Sequence, residues 1–180
     1  MSSFRDLTRL KVDPAQIALR QLVPEDVSDT YVGWLNDPSV NVYLEARHDC
    51  PHSIDSVRRF VADCIECRRC NWGVFYDGTH VGNVTSTVDT SNRFASVANV
   101  VGDARFRGTH LAKYALTGVL DYLFVQMDMH RVEAGTYANH LTGVALLISL
   151  GFVKEAVYRE RVMFEGKFID SLWFSLLERE

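Results

Sequence analysis

Residues 101–115 read Val101-Gly102-Asp103-Ala104-Arg105-Phe106-Arg107-Gly108-Thr109-His110-Leu111-Ala112-Lys113-Tyr114-Ala115, and this stretch decides the architecture. Ahead of it, Ala95–Val101 has the composition of a strand. Behind it, Leu111, Ala112, Ala115, Leu116, Val119, Leu120, Leu123 and Phe124 recur on one face at helical spacing. The chain therefore passes from a strand through a short turn straight into an amphipathic helix. The first N–H groups of a helix have no internal acceptor, and the peptide dipoles add partial positive charge there. Arg107, Gly108 and Thr109 stand at this mouth, which suits a phosphate. The turn is not a Walker A loop, because no G-K-[ST] follows a four-residue spacer. It is not G-x-G-x-x-G either, since its glycines are Gly102 and Gly108.

Working outward, Gln16–Leu22 reads as a first strand, with Ile17 and Leu19 alternating against polar neighbours. Pro24, Glu25 and Asp26 suit the first turn of a helix carrying Val27, Tyr31, Trp34 and Leu35, which Asn36-Asp37-Pro38 stops. A short helix over Ser39–Glu45 is expected next. Ser53–Arg69 follows as a helix capped by Ser53, with Ser56 in the place where a capping box prefers Glu. Asn71–Tyr76 and His80–Val88 flank Asp77-Gly78 as a hairpin. After the long helix, His130–Tyr137 alternates as a strand. Leu141–Leu150 is apolar nearly all round, which predicts a buried helix, and Gly151 ends it. Val153–Phe164 and Phe168–Leu177 form a hairpin across Glu165-Gly166-Lys167. The order β, α, α, β, β, β, α, β, α, β, β specifies a single α/β (α+β) domain with a mixed, mostly antiparallel sheet. It spans residues 16–180, and residues 1–15 form a polar N-terminal extension.

The 180 residues suffice for one domain with its own core, and 47% hydrophobic with 23% charged residues is ordinary for a globular protein. A net charge of −4 gives no reason to expect nucleic acid as a partner. No apolar run approaches the ~20 residues that span a bilayer. The N-terminus is mixed and charged without an apolar h-region, so a cytoplasmic protein without a membrane partner is expected. Cys50, Cys64, Cys67 and Cys70 admit two readings. One is a metal site of the C-x-x-C-x-x-C kind. The other is a helix in which Cys64 continues the apolar face of Ile54, Val57, Phe60 and Val61, and Cys70 closes the helix. On one continuous helix Cys64 and Cys70 point in different directions, so the second reading is adopted and no metal is expected.

Arg107-Gly108-Thr109-His110-Leu111-Ala112 resembles the R/Q-x-x-G-x-G/A signature of the GNAT superfamily of acyl-CoA N-acyltransferases, with Arg107 and Ala112 matching and His110 in place of a glycine. Trp34–His48, W-L-N-D-P-S-V-N-V-Y-L-E-A-R-H, resembles the opening of GNAT enzymes that acetylate an amino group on a nucleotide-linked sugar. Gly82-Asn83 fits the same branch, close to the ribosomal-protein-alanine acetyltransferases. Tyr137–Phe152 is similar to Y-A-N-N-x-x-S-x-x-x-x-x-K-x-G-F. Here His140 replaces an Asn, Gly143 a Ser and Ser149 a Lys, and the frequent general-acid Tyr falls at Leu147.

The resemblance implies a GNAT fold and an acetyl-CoA-dependent N-acetyltransferase, monomeric or homodimeric, acting on a small amine acceptor. Val101, Arg107, Gly108, Thr109, His110, Leu111, Ala112 and Asn139 are its expected cofactor-binding residues. Asn41, Tyr43, Glu45 and Arg47 are its expected acceptor residues. It also implies that the strand before the phosphate loop splays from Glu133–Tyr137, with the thioester between them. Only a neutral amine attacks a thioester, so a base is needed. Asp103, His110, Glu133, His140 and Glu45 are the candidates. Tyr137, His140 and Glu133 are taken as catalytic, with Tyr137 the choice for general acid. A second reading is a GNAT-fold binding protein whose cofactor loop is impaired by His110, His140, Gly143 and Leu147. A third is an acetyltransferase of protein N-termini.

Overall fold

The computed structural model describes residues 12–66 and 69–180. Seven strands form one sheet among them: β1 (Ile17–Gln21), β2 (Arg69–Tyr76), β3 (Thr79–Asp89), β4 (Phe94–Val101), β5 (Arg131–Tyr137), β6 (Val153–Phe164) and β7 (Lys167–Leu177), in the order β1-β2-β3-β4-β5-β7-β6. Every neighbouring pair is antiparallel except β4 and β5. Both hairpin turns follow from sequence. Asp77-Gly78 and Glu165-Gly166 each place two successive residues at positive φ, the geometry whose twist matches that of paired strands.

The helices are α1 (Asp29–Asn36), α2 (Pro38–Asn41), α3 (Ile54–Glu66), α4 (Leu111–Asp121) and α5 (Leu141–Ser149). Pro24–Asp26 does not begin α1 but makes a separate 3-10 turn. The helix starts later because Ser28 Oγ accepts the Tyr31 N–H and caps it there. The helix expected over Ser39–Glu45 divides into α2 and a 3-10 turn over Glu45–Asp49, for Asp37 caps α2 at Ser39. At α3, Ser53 and Ser56 exchange hydroxyl-to-amide bonds at 3.1 and 2.9 Å, so a serine completes the reciprocal box. α3 stops at Glu66, and Cys70 lies in β2 rather than at a helix end.

Period-2 alternation sends side chains of β2 to opposite faces. Val74 joins a core with Val84, Val97, Leu116, Val119, Leu123, Val132 and Phe174 under α4. Phe75 packs into a second core with Leu22, Tyr31, Trp34, Val57 and Val61 under α1 and α3. Val12 is buried in the first core, so part of the expected 1–15 extension is packed; residues 1–11 lie outside the described residues. α5 overturns one expectation: only Leu147 is fully buried, while Leu141 and Ile148 are 74% and 60% exposed. The helix lies against the sheet from one side, through Val144, Leu146, Leu147 and Leu150. Gly151, at φ 91, ends it in a Schellman turn, with Gly151 N–H on Ile148 O and Phe152 N–H on Leu147 O.

The sheet opens in one place. β3 and β4 pair continuously from Asp89–Phe94 to Gly82–Val101. β4 and β5 pair only at Phe94–Arg131, Ala95–Val132 and Ser96–Glu133. Beyond Ser96 and Glu133 they diverge into a cleft.

Candidate functional site

The walls of this cleft are backbone. Gly102 N–H donates to Val81 O, which fixes the phase of the β3–β4 ladder. By alternation Val97, Asn99 and Val101 then turn their N–H and C=O groups away from β3, into the cleft. On the other wall, Ala138 N–H donates to Asp170 O, so Gly135 and Tyr137 turn theirs inward. Backbone polar groups need partners. An arm carrying amides would match them, and Val101 stands at the open end of the cleft.

At that end the chain turns into α4. The first intrahelical bond of α4 is Tyr114 N–H to His110 O. Leu111 N–H is taken by Thr109 Oγ1 at 3.2 Å, and the N–H groups of Ala112 and Lys113 precede the ladder. Gly108 holds φ 72, and nothing lies within 4 Å of where its Cβ would be. Its reason is therefore backbone conformation, not room. His110 is exposed and makes no cap bond; Leu111 is buried and takes part only through its backbone. Arg107 reaches Gly102 O at 3.0 Å and Ser39 Oγ at 3.3 Å, tying the loop to α2. Exposed Asn139 lies in the turn that follows β5, on the opposite side. These groups fit the pyrophosphate and amides of an acyl-CoA.

Gly108→Val should force a β-branched residue into the left-handed region, a strain of about 1–3 kcal/mol. We expect weaker CoA binding in calorimetry, while Gly108→Asn, which tolerates that region, stays near wild type. Equal affinity in both variants would remove the loop from the site.

The acceptor segment meets the end of β5. Tyr137 O–H donates to Glu45 Oε1 at 2.5 Å and accepts from Arg47 Nη1 at 2.7 Å. Burial raises the phenol first, the Glu45 carboxylate raises it further and Arg47 opposes, bringing it to about 12. The phenol thus stays protonated at neutral pH, its hydrogen directed to Glu45. Glu45→Gln should bring that pKa down, as read by ultraviolet titration of the tyrosines against Tyr137→Phe; an unmoved transition would break the pairing. Arg47 also donates to Val42 O and Met163 O. Tyr43 stacks on His140, with centroids 4.0 Å apart, and on Phe164.

The structure thus brings together Tyr43, Glu45, Arg47, Tyr137 and His140. It sets the other candidates apart. Asn41 is buried, and its Nδ2 is given to Leu35 O and Cys50 Sγ, which braces the loop. Glu133 sits at the closed end of the cleft, four positions or about 13 Å along β5 from Tyr137. Its carboxylate is held by Ser96 Oγ at 3.2 Å and by Arg131 at 3.6 Å. Asp103 is forked by Arg105, which holds its carboxyl below the usual range. Sequence reading missed Phe164 and Ser39. An aromatic one residue before a hairpin turn was the available signal for Phe164. For Ser39 there was none. Among the described residues no cluster of three or more His, Cys, Asp or Glu could hold a metal; Cys64 is buried in α3, and Cys67 lies outside the described residues. No helix among the described residues is long and apolar enough to cross a membrane.

The sheet thus parts between two parallel strands, with the free amides at the start of α4 on one wall and the loop carrying Glu45 against Tyr137 on the other. The acetyltransferase (GNAT) domain family matches residues 16–153, and the chain belongs to that family. It is an N-acetyltransferase acting on an amine. It is 26% identical over 170 residues to the uncharacterized N-acetyltransferase p20 of Bacillus licheniformis, covering 92% of this chain and 94% of that one. Spermidine N-acetyltransferase from Vibrio cholerae, in complex with CoA and spermine, superposes with a TM-score of 0.81 at 20% identity, covering 92% and 97% of the two chains. RimL, a ribosomal alpha-N-protein acetyltransferase in complex with coenzyme A, gives 0.81 at 14% identity over 90% and 94%. At these identities the two structures speak for the fold alone.

Proposed function

We propose that the chain transfers an acetyl group from acetyl-CoA to a primary amine that reaches the cleft beside Glu45, and that the amine of an amino-sugar nucleotide is the acceptor class the Trp34–His48 string favours. The observation that carries the acceptor side is the Tyr137–Glu45 bond at 2.5 Å. It fixes one carboxylate oxygen, while the other, in an exposed side chain and 3.9 Å from His48 Nε2, is placed to meet an ammonium group. When bound, the thioester supplies the activated acyl carbon. The chain's own groups do the rest. Ala112, Lys113 and Gly108 offer amides to the phosphates, and the backbone of Val101 polarises the carbonyl. Glu45 draws in the ammonium and takes one proton, so that the neutral amine attacks the acyl carbon. The C–S bond breaks as the C–N bond forms, the second N–H proton goes to the departing thiolate, and Glu45 returns its own to solvent.

Arg47 qualifies the finer reading. Its Nη1 serves Tyr137 and Val42, and Nη2 serves Met163. A diphosphate must therefore be met by other donors. The test is thiol release from acetyl-CoA with three acceptors: an amino-sugar nucleotide, a polyamine and a peptide with a free α-amine. Preference for the first supports the string; preference for the peptide favours an N-terminal acetyltransferase. Turnover of none of them, in protein that binds CoA, would overturn a primary-amine acceptor at Glu45.

A further inference from the structure

We propose that His140 is a positioning residue: its ring face holds the acceptor loop over the cleft by stacking on Tyr43, without transferring a proton. This rests on the amine-acetylation reading for its consequence, though its geometry stands apart from it. The rings of His140 and Tyr43 are 4.0 Å apart at 11°, and Tyr43 and Phe164 are 5.6 Å apart at 8°. Three separate elements meet in this stack: the start of α5, the loop after α2, and β6. Glu45 lies two residues beyond Tyr43, so the stack sets where its carboxylate stands.

The imidazole is held on its other sides. Nδ1 is 3.2 Å from Thr136 Oγ1. A Cβ on Gly143 would come within 2.6 Å of Nδ1 and 2.8 Å of Cε1, so the ring occupies the space a side chain at 143 would take. The substitutions of Asn by His140 and of Ser by Gly143 are thus one physical change: the ring needs the glycine. Half-burial lowers the pKa of His140, which suits a neutral ring packed face to face. The outward face of the ring is given to Tyr43, and what Tyr43 contributes to the loop is lost if that face is lost.

The test uses amide hydrogen exchange of residues 43–49 in the full chain, with acceptor kinetics and CoA calorimetry beside it. A stacked pair contributes about 0.5–1.5 kcal/mol, so His140→Ala should speed exchange there, and raise the acceptor KM, by roughly two- to tenfold. CoA affinity should hold. His140→Phe keeps a flat ring without a titrating nitrogen and should return exchange and KM toward wild type. Gly143→Ser should displace the ring and reproduce His140→Ala, with thermal melts confirming the fold. Unchanged loop exchange in His140→Ala and Gly143→Ser would overturn the proposal. So would kinetics in His140→Phe as poor as in His140→Ala despite restored loop protection, which would mark proton transfer. The exchange arm needs no acceptor: a protein that turned over no amine would fail the functional reading alone, and the stack would still be judged on exchange.

Discussion

Glu45→Gln should lower kcat/KM on an accepted amine by about a hundredfold, the lower end of what a positioned acid or base contributes. The choice of glutamine decides what is measured. The amide oxygen still accepts the Tyr137 O–H that the carboxylate accepts at 2.5 Å, so the loop keeps its tie to β5. What disappears is the charge that draws an ammonium and the basic oxygen that takes its proton. Arg47 keeps its bonds to Tyr137 Oη, Val42 O and Met163 O. CoA affinity and melting temperature should therefore stay at wild type while turnover falls. The measurement is steady-state thiol release at saturating acetyl-CoA, with Glu45→Ala as a second variant that also removes the tie. If both variants turned over at the wild-type rate, the Tyr137–Glu45 pair would be a surface bond of under ~1 kcal/mol and the base would lie elsewhere.

The order of elements along the chain was legible because it is written locally. Asp77-Gly78 and Glu165-Gly166 announce hairpins, and Val101–Ala115 announces the crossing from strand to helix. The turn from β4 into α4 was legible for the same reason, being contiguous backbone. What escaped was tertiary. The entry to α1 depends on whether Pro24 or Ser28 starts the helix, and a single hydroxyl–amide bond at Ser28 decides it. α5 reads as buried because its residues are apolar on every side, yet periodicity says nothing about how many sides the fold covers. Asn41 and Glu45 look alike as polar residues in one string; burial turns one into a brace and leaves the other at the cleft. The triangle of Glu45, Arg47 and Tyr137 joins positions some ninety apart. No local spacing encodes that.

Gly102→Ala should destabilise the fold by about 1–3 kcal/mol through overpacking. For a chain of this length that lowers Tm by roughly 3–10 °C. The reason differs from that at Gly108. Gly102 has no positive φ, so its backbone is one that any residue adopts. Space is what it lacks: a Cβ there would lie 2.0 Å from Trp34 Cδ2 and 2.3 Å from Cε3. The indole cannot readily retreat, since it packs edge-on against His80 at 5.0 Å and against Tyr31 at 6.0 Å, within the core under α1. Nor can the strand end, because Gly102 and Asp103 both donate to Val81 O and Arg107 holds Gly102 O. Whichever gives way, α1 or the turn into α4, the added methyl is felt on the 102–110 turn, the proposed phosphate site. CoA affinity should fall along with stability, unlike in Glu45→Gln. Trp34→Phe removes part of the ring that clashes, so the double variant should regain stability relative to the sum of the single changes. Additivity in that cycle would mean that the two residues do not press on each other, and the link from α1 to the cofactor loop would be lost.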